Sequence, residues 1–540
     1  MPETRAKAMR TNGYWRDELF GDLLDFCTAD LPQKTAIVGS NSMDGSNCRL
    51  SYREFVTLVD RIAFALAELG VEKNDIVSCQ LPNWWQFPAL VFACWRIGAV
   101  INPVMPIFRE REVKFMLGFA ESKVFVVPRK FREFDYPAMA RSLRPNLPHL
   151  QQLLVIGGAG EESFEQVLLG AAFDAKRAER LFAERRQNPD DIIQLLYTSG
   201  TTGESKGVMH TSNTILSNIY PFCERLGLTS KDVVLMASPL AHQSGFIYGI
   251  LMPVVLRATV VLQDIWDGKR AADLIKAESA TFTFASTPFL SDLTDAVGRS
   301  GCDVSSLRIF LAAGAPIPRV LVERASKTLG ANIVSAWGMT ENGAVTTTRL
   351  GDPDEKTFYT DGCPLSGMEV RVTGADNKSS AVGDEGTLKV RGCSNFVGYL
   401  KRPQLFNHDA DGWFDTGDLA RLDADGYIRI TGRAKDIIIR GGENVPVVEI
   451  EGLLFRHPAV QAVAIVGMPD ARLGERACAF VMRKPGQKFD FDEMARFLTE
   501  QKVAKQYMPE RLVCVDELPM TPSGKIQKFK LREQAKALAN

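Results

Sequence analysis

The 540-residue chain has almost no net charge, since 64 lysines and arginines stand against 65 acidic residues. This balance gives no general electrostatic attraction to nucleic acid or to an anionic membrane. Ten cysteines are scattered singly, with no C-x-x-C pair and no zinc-like spacing of cysteine and histidine. They predict reduced, mostly buried thiols rather than metal ligands or a disulfide framework.

Long hydrophobic runs are also missing. The longest, FIYGILMPVVL at residues 246–256, is followed by Arg257 and is shorter than the roughly 18 residues that a membrane helix needs. The N-terminal MPETRAKAMRTNGYW lacks the apolar segment of a signal peptide. We therefore expect a soluble cytoplasmic protein without an integral membrane segment, and a core position for residues 246–256.

The apolar residues that are present alternate between two patterns. Short apolar runs predict strands, and amphipathic stretches such as residues 55–70 predict helices between them. The predicted strands are residues 75–81, 123–128, 191–198, 233–239 and 307–314. This alternation predicts an α/β fold with largely buried sheets, and the length predicts at least two domains.

The pattern of residues in the sequence changes toward the C-terminus. From about residue 360, Gly- and Asp-rich turns separate short alternating strands, which predicts a small β-rich subdomain over residues 360–432. A mixed α+β pattern follows after RAKD at residues 433–436. We expect a large N-terminal domain of residues 1–432 and a small C-terminal domain of residues 437–540.

The stretch YTSGTTGESKGV at residues 197–208 begins at the end of a predicted buried strand. A phosphate-binding loop needs glycines that permit close approach, hydroxyl donors and a cation. The stretch supplies them at Ser199, Gly200, Thr201, Thr202, Gly203, Lys206 and Gly207. It is not a Walker A loop, because Gly207 stands where that motif has Ser or Thr.

The same stretch also matches the G-x-S-x-G nucleophile elbow of serine hydrolases, with Ser205 as the nucleophile. That reading needs Ser205 on a sharp strand-to-helix turn and a downstream acid and histidine. No downstream histidine lies in an evident triad setting. A serine hydrolase is therefore the remote alternative, and a plain surface turn is a weaker one.

The whole stretch resembles the phosphate loop of the adenylate-forming superfamily, which includes acyl-CoA synthetases, luciferases and adenylation domains. Further motifs follow in that family's order over roughly residues 50–530. They are SPLAHQSGF (238–246), AAGAP (312–316), WGMTE (337–341), FDTGDL (414–419), GRAKDIIIRGGEN (432–444) and TPSGKIQK (521–528).

The resemblance implies a reaction in two steps. A carboxylic acid and ATP give an acyl-adenylate and pyrophosphate, and the acyl group then passes to CoA with release of AMP. ATP, Mg²⁺ and CoA are thus the expected co-substrates and ion. The implied ATP or AMP contacts are Thr198, Ser199, Gly200, Thr201, Thr202, Gly203, Lys206, Gly314, Ala315, Pro316, Trp337, Gly338, Thr340, Glu341, Asp418, Arg433 and Lys525.

Several of these residues have implied roles. Lys525 resembles the lysine that drives adenylation, and Lys206 is expected to hold phosphates. Glu341 is the expected Mg²⁺ ligand, since Mg²⁺ prefers oxygen donors. Asp418 is expected to accept hydrogen bonds from the ribose, with Arg433 assisting. Trp337, where the family usually has Tyr or Phe, is expected to stack on adenine.

The resemblance also implies a mobile C-terminal domain that serves both steps. Lys435 is the expected hinge within residues 433–436, and Gly441 and Gly442 are expected to line the CoA tunnel. Family members often read G-G-E-N-I-Y-P where this chain has GGENVPV. No role of that tyrosine is therefore carried over.

The acid itself is expected to bind in an apolar pocket. Residues 238–254 contain no acidic residue, which favours an uncharged acyl group over an amino acid. The predicted lining residues are His242, Phe246, Ile247, Ala313, Gly338, Met339 and Val345, with His242 gating the pocket or packing in the core. Parts of the C-terminal block resemble cyclohexanecarboxylate-CoA ligases and medium-chain synthetases.

The sequence therefore leaves three hypotheses about the class of function. The first is an acid–CoA ligase for a medium-chain, alicyclic or aromatic acid. A stand-alone adenylating enzyme that loads a carrier protein is the second, and the serine hydrolase is the third. Because no carrier domain follows in the sequence, we predict CoA as the acceptor.

Overall fold

The computed structural model describes most of the chain. Its described residues are 3–198, 205–314, 317–374, 376–440, 443–470, 472–521 and 524–538, with backbone alone for residues 435, 443 and 444.

Two large sheets form the N-terminal part. The first has nine strands in the spatial order Cys363–Pro364, Gly343–Thr347, Asn332–Met339, Ile309–Ala312, Phe282–Ala285, Val233–Met236, Thr259–Leu262, Thr35–Ser40 and Asn47–Ser51. The second has seven strands in the order Gly398–Tyr399, Lys206–Thr211, Ile192–Thr198, Val100–Pro103, Ile76–Cys79, Val124–Pro128 and Gln152–Ile156.

The middle of the nine-stranded sheet is parallel, because each of its strands pairs in the same direction with the next. Such strands are covered on both faces and read as continuous apolar runs rather than alternating ones. Ile309–Ala312, for example, is buried at every position. The α/β prediction is confirmed, and the five predicted strands each contain an observed strand.

Helices cover these sheets. The α-helices are Glu3–Thr11, Phe20–Asp30, Tyr52–Glu68, Gln86–Arg96, Glu110–Ala120, Tyr136–Leu143, Ala175–Glu184, Ser212–Arg225, Gln243–Gly245, Met252–Leu256, Gly268–Glu278, Thr287–Ser300, Arg319–Leu329, Asp354–Tyr359, Val447–Leu454, Phe491–Glu500 and Lys528–Leu538. Tighter 3₁₀ turns are Arg144–Asn146, Gly160–Glu162, Pro403–Leu405, Ala434–Asp436 and Lys505–Tyr507, and wider π turns are Glu165–Leu169 and Phe246–Leu251.

The helix predicted over residues 55–70 is observed as Tyr52–Glu68. It begins three residues earlier because Ser51 caps its first turn: the Glu54 amide donates to Ser51 Oγ, and the Ser51 amide donates to Glu54. Its apolar stripe, including Val59 and Ile62, packs into the core between the sheets.

Two smaller sheets follow along the chain. An antiparallel sheet contains Met368–Thr373, Glu385–Gly392, Phe414–Leu422 and Ile428–Arg433. The next sheet contains Glu443–Val445, Ile438–Arg440, Gly474–Arg483, Val460–Asp470 and Arg511–Val515. A two-stranded hairpin, Lys130–Phe131 with Phe134–Asp135, completes the strands. The passage between the two smaller sheets is the single turn Ala434–Asp436.

The last sheet has its own core, in which Ile450, Leu454 and Leu498 are buried. Residues 246–256, predicted to lie in the core, form the π turn Phe246–Leu251 and the helix Met252–Leu256 inside the N-terminal part. Within the stretches of chain that the structure describes, no helix combines the length and hydropathy needed to cross a bilayer.

Candidate active site

The predicted phosphate loop joins two antiparallel neighbours. Strand Ile192–Thr198 runs into it, strand Lys206–Thr211 runs out, and Thr198 pairs directly with Lys206. The pairing places Lys206 at the base of the loop, beside the predicted ATP contact Thr198. The other predicted loop contacts lie outside the described residues: Ser199, Gly200, Thr201, Thr202 and Gly203.

The second strand of this pair was not predicted, and it excludes the hydrolase hypothesis. A nucleophile elbow requires the serine on a turn that leads from a strand into a helix. Ser205 instead directly precedes strand Lys206–Thr211, and the next helix begins only at Ser212. The match of Ser205 to G-x-S-x-G is therefore a coincidence of spacing.

Glu341 and Lys206 share one aromatic partner. Tyr399 donates its hydroxyl hydrogen to Glu341 Oε1 at 2.8 Å, and Lys206 Nζ lies 5.1 Å from the centre of the Tyr399 ring. Burial raises the pKa of the Glu341 carboxyl, while the Tyr399 hydroxyl and the charges of Lys206 and Arg433 act in the opposite direction. The predicted phosphate and metal contacts therefore lie together.

The backbone around Glu341 is fixed by two further contacts. His210 Nε2 donates to the Thr340 carbonyl at 2.8 Å, and the Phe396 amide donates to the Glu341 carbonyl at 2.7 Å. Burial lowers the pKa of the His210 imidazole to about 4, so the ring is neutral at neutral pH. His210 thus supports the predicted ATP contact Thr340 as an uncharged donor.

Asp418, Arg433 and Trp337 form a connected group. Arg433 Nε lies 2.8 Å from Asp418 Oδ1, and Trp337 Nε1 donates to Asp418 Oδ2 at 2.9 Å. Asp418 is only 4% exposed, so both contacts orient a desolvated carboxylate. The structure brings the predicted ribose ligand, its assisting arginine and the predicted adenine-stacking ring together. Stacking of Trp337 on adenine stays a prediction.

Glycines shape the strand ends next to this group. A Cβ on Gly338 would lie 1.9 Å from the Gly343 carbonyl oxygen, so only glycine allows this approach of two backbones. Gly314 follows strand Ile309–Ala312 with a φ of +84° and is exposed. The neighbouring predicted contacts, Ala315 and Pro316, lie outside the described residues.

His242 and Lys525 approach one another from distant regions of the chain. His242 Nδ1 accepts a hydrogen bond from Ser244, which leaves the ring proton on Nε2. Desolvation first, and then the positive charge of Lys525, lowers the pKa of His242 to about 4. The loop that carries Lys525 therefore lies at the predicted acyl end of the site, more than 280 residues away in sequence.

The predicted acyl-pocket residues divide into two groups. Phe246, Ile247 and Val345 are fully buried, and the Phe246 ring contacts Trp95 edge-on at 6.2 Å. Ala313, Gly338 and Met339 are half-buried, as is His242. Phe246 and Ile247 lie in the π turn Phe246–Leu251, a wide turn that proteins often place at functional sites.

The predicted hinge lies in the turn Ala434–Asp436, between two different sheets. Asp436 forms an ion pair with Arg532 at 2.7 Å, which ties this turn to the C-terminal helix. The side chain of Lys435 lies outside what the structure describes, as do the predicted tunnel residues Gly441 and Gly442.

Sequence reasoning missed Tyr399 and His210. Tyr399 lies in GYLKRP, which carries no phosphate or metal signature, and only the pairing of Gly398–Tyr399 with Lys206–Thr211 brings it to Glu341. A neutral, fully buried histidine on a strand also gives no signal that separates support from simple packing. Tertiary contacts alone identify both residues.

Comparison with known proteins identifies the family of the chain. The family model of the AMP-binding enzyme matches residues 26–400, and that of the AMP-binding enzyme C-terminal domain matches residues 449–525. Over 534 residues the chain is 35% identical to the medium-chain fatty-acid–CoA ligase of Escherichia coli K12, covering 98% of this chain and 93% of that one. It is 34% identical to the 2,3-dihydroxybenzoate-AMP ligase of Bacillus subtilis, covering 98% and 96%.

A solved structure extends the likeness to the arrangement of the whole chain. ATP-bound MatB from Rhodopseudomonas palustris superposes with a TM-score of 0.83 at 27% identity, covering 96% of this chain and 100% of MatB. The apo structure of the same protein gives a TM-score of 0.72. With both family models matched in order along the chain, it belongs to the AMP-binding, adenylate-forming enzyme family.

Proposed function

We propose that the protein is an ATP-dependent acid–CoA ligase that works through an acyl-adenylate. The observation that carries this proposal is that two positive groups from distant regions of the chain lie beside residues predicted to contact the phosphates and the acyl group. Lys206 lies beside Glu341 and Tyr399, and Lys525 lies near His242. Acyl transfer to CoA is the second step, with release of AMP.

In the first step a substrate carboxylate oxygen attacks the α-phosphorus of ATP, and the bond to the pyrophosphate oxygen breaks. Negative charge accumulates on the α-phosphate oxygens and on the leaving pyrophosphate, so fixed cations stabilise the transition state. Lys525 acts at the carboxylate and α-phosphate, and Lys206 acts at the leaving phosphates. His242, held neutral beside them, orients rather than adds charge.

Glu341 fits the role of a Mg²⁺ ligand. Its carboxylate is buried next to the base of the phosphate loop. Tyr399 donates its hydrogen bond to one of the two carboxylate oxygens, Oε1. Among the described residues no group of three His, Cys, Asp or Glu side chains forms a closed metal cage. Mg²⁺ ordinarily binds in this open way, through a single carboxylate together with nucleotide phosphates and water. When bound, it supplies charge neutralisation of the phosphates.

Asp418 holds the nucleotide through its ribose, a role supported by its burial and by the two donors that orient it. Gly314 and Trp337 then lie on the adenine side of the nucleotide. Arg433, which ends strand Ile428–Arg433, lies at the entrance to the turn Ala434–Asp436. A rotation about Lys435 would therefore begin next to the ribose contact.

The second step is proposed to need that rotation, so that Lys525, whose charge acts on His242, can leave the acyl end of the site. The higher similarity to ATP-bound than to apo MatB supports the assignment of this arrangement to the adenylation step. Turning about Lys435 would withdraw Lys525 and bring Gly441 and Gly442 to the site, where CoA enters.

The acid is proposed to be uncharged apart from its carboxylate and of moderate size. Phe246, Ile247 and Val345 give an apolar wall, and no acidic side chain lies within residues 238–254 to bind an amino group. The E. coli relative acts on medium-chain fatty acids and the B. subtilis relative on an aromatic acid. An alicyclic acid, such as cyclohexanecarboxylate, lies between these sizes.

A second candidate is an adenylating enzyme that serves a carrier protein, which the 34% identity to 2,3-dihydroxybenzoate-AMP ligase favours. The test is pyrophosphate release measured against aliphatic, alicyclic and aromatic acids, with and without CoA. A ligase releases pyrophosphate only with its acid and forms thioester only when CoA is present. Adenylate that accumulates without turnover on CoA would identify the second candidate, and no acid-dependent pyrophosphate would reject both.

A further inference from the structure

The loop that carries Lys525 is a tight hairpin. Met520 and Ile526 form an antiparallel bridge, and the Gly524 amide donates to the Thr521 carbonyl at 2.8 Å. The Lys525 amide donates to Thr521 Oγ1 at 2.9 Å. Gly524 lies in the turn of this hairpin with a φ of +78°, and it is buried although its neighbour Lys525 is exposed. Another segment of the chain must therefore cover Gly524.

That cover is Ser286, the residue before helix Thr287–Ser300. A Cβ on Gly524 would lie 2.4 Å from Ser286 Oγ and 3.3 Å from Pro288 Cγ. Ser286 is 7% exposed, and its hydroxyl neither caps its own helix nor finds a hydrogen-bond partner among the described residues. The hydroxyl of Ser286 thus faces the bare backbone of Gly524.

We propose that Gly524 and Ser286 form a seat that positions Lys525 for adenylation and releases it afterwards. The contact holds the C-terminal hairpin against the large N-terminal sheets at the residue that immediately precedes the catalytic lysine. A glycine packed on a small hydroxyl gives close contact with little buried area and no ion pair to break. Such a contact fixes the position of Lys525 without resisting rotation of the C-terminal domain. The inference rests on the proposed role of Lys525 in adenylation.

Two requirements fall on Gly524 in this seat. Its positive φ is a conformation that side chains other than glycine adopt at a cost, and its missing Cβ leaves the room that Ser286 occupies. Substitution of a second glycine separates the cost of the positive φ from the cost of filling the space that Ser286 occupies. Gly486, also near the C-terminus, has a φ of +76°, and a Cβ added there would have no neighbouring atom within 4 Å. Gly486→Ala therefore carries the φ cost alone.

The seat can also be disturbed from its other side. Ser286→Val adds bulk beneath Gly524 without changing the hairpin, whereas Ser286→Ala removes an oxygen and adds none. In the full-length protein we would measure three quantities for each variant. These are pyrophosphate formation from acid and ATP, thioester formation from supplied acyl-adenylate and CoA, and amide hydrogen exchange of the peptide spanning residues 282–290.

We expect Gly524→Ala and Ser286→Val each to slow pyrophosphate formation by about tenfold or more, because both separate Lys525 from the site. Thioester formation should stay within about twofold, since it does not use Lys525, and exchange around Ser286 should become faster. Gly486→Ala and Ser286→Ala should resemble the unchanged protein in all three measurements.

Other outcomes would overturn the seat. If Gly524→Ala slows adenylation but Ser286→Val does not, the glycine acts only within its own turn. Equal losses in both half-reactions would show a structural role, as would unchanged exchange around Ser286. Failure of the proposed function looks different: Lys525→Ala would keep forming pyrophosphate, while the exchange measurements would still report whether Gly524 covers Ser286.

Discussion

The nucleotide side of the site and the lysine hairpin are built in opposite ways. On the nucleotide side, Asp418 and Glu341 are buried and held by donors from neighbouring strands of the N-terminal region. Lys525 is exposed, belongs to the C-terminal region and lies in the hairpin that the bridge between Met520 and Ile526 closes. One side is fixed by buried contacts, and the other is proposed to be delivered by the turn about Lys435.

This difference follows from what each side must do. Groups that hold ATP serve both half-reactions, so preorganisation by buried hydrogen bonds is an advantage throughout the cycle. A lysine needed for one half-reaction must leave for the other, which deep burial would hinder. Changes on the nucleotide side should therefore harm both half-reactions, and changes on the hairpin only the first.

The largest effect is expected for Lys525→Ala. Loss of a cation from the developing charge should slow adenylation by about 100- to 1000-fold, by analogy with other charge-stabilising donors. Thioester formation from supplied acyl-adenylate should be largely retained. Pyrophosphate release and thioester formation, measured separately, check this result, with the exposed Lys530→Ala as control. Normal adenylation by the variant would remove Lys525 from the mechanism.

Asp418→Asn should come next and should affect both half-reactions. Arg433 and Trp337 now contact the two different carboxylate oxygens of Asp418. The asparagine side chain has only one oxygen, so one buried donor loses its acceptor at a cost of about 1–3 kcal/mol. We expect weaker nucleotide binding in a titration with AMP and a lower melting temperature. Asp384→Asn, an exposed change near the same sheet, is the control. Undiminished AMP binding would contradict the ribose role.

Acidification should lower the stability of the folded protein through His210, which supports the nucleotide side of the site. Its pKa is lowered from 6.5 to about 4 in the folded protein. The burial of His210 therefore costs no folding free energy through protonation above pH 6.5, and the free energy of unfolding falls as the pH drops from 6.5 toward 4. At pH 5 this imidazole should cost about 2 kcal/mol of folding free energy. Between pH 7 and 5 the melting temperature should fall less steeply in His210→Gln than in the unchanged protein. The control is His149→Gln, which replaces an exposed histidine.

The smallest effect is expected for Tyr399→Phe, which removes the hydroxyl that stabilises ionised Glu341. The pKa of Glu341 should rise further, so the acidic limb of the adenylation pH profile should move to higher pH, with a loss of about 1 kcal/mol at neutral pH. Tyr427→Phe removes a similar bond, to Asp352, and serves as the matched control. Equal profiles for both variants would deny Tyr399 a role in the site.

Most of the architecture could be predicted because its signals are local. Apolar runs such as Ile309–Ala312 mark buried parallel strands, and Ser51 with Glu54 marks a helix start. The strand Lys206–Thr211 escaped prediction, because its residues are mixed polar and apolar and only its pairing with Ile192–Thr198 reveals it. That one omission allowed Ser205 to be weighed as a nucleophile.

The sequence by itself determined the family, the ordered motifs and the identity of the groups that are proposed to meet ATP. Motifs are short and their residues are neighbours, so each can be recognised alone. Tertiary structure decided which groups support them: Tyr399 beneath Lys206 and Glu341, Trp337 on Asp418, and Ser286 against Gly524. These pairs lie 58 to 238 residues apart, and no local pattern encodes a contact that exists only after the sheets have packed.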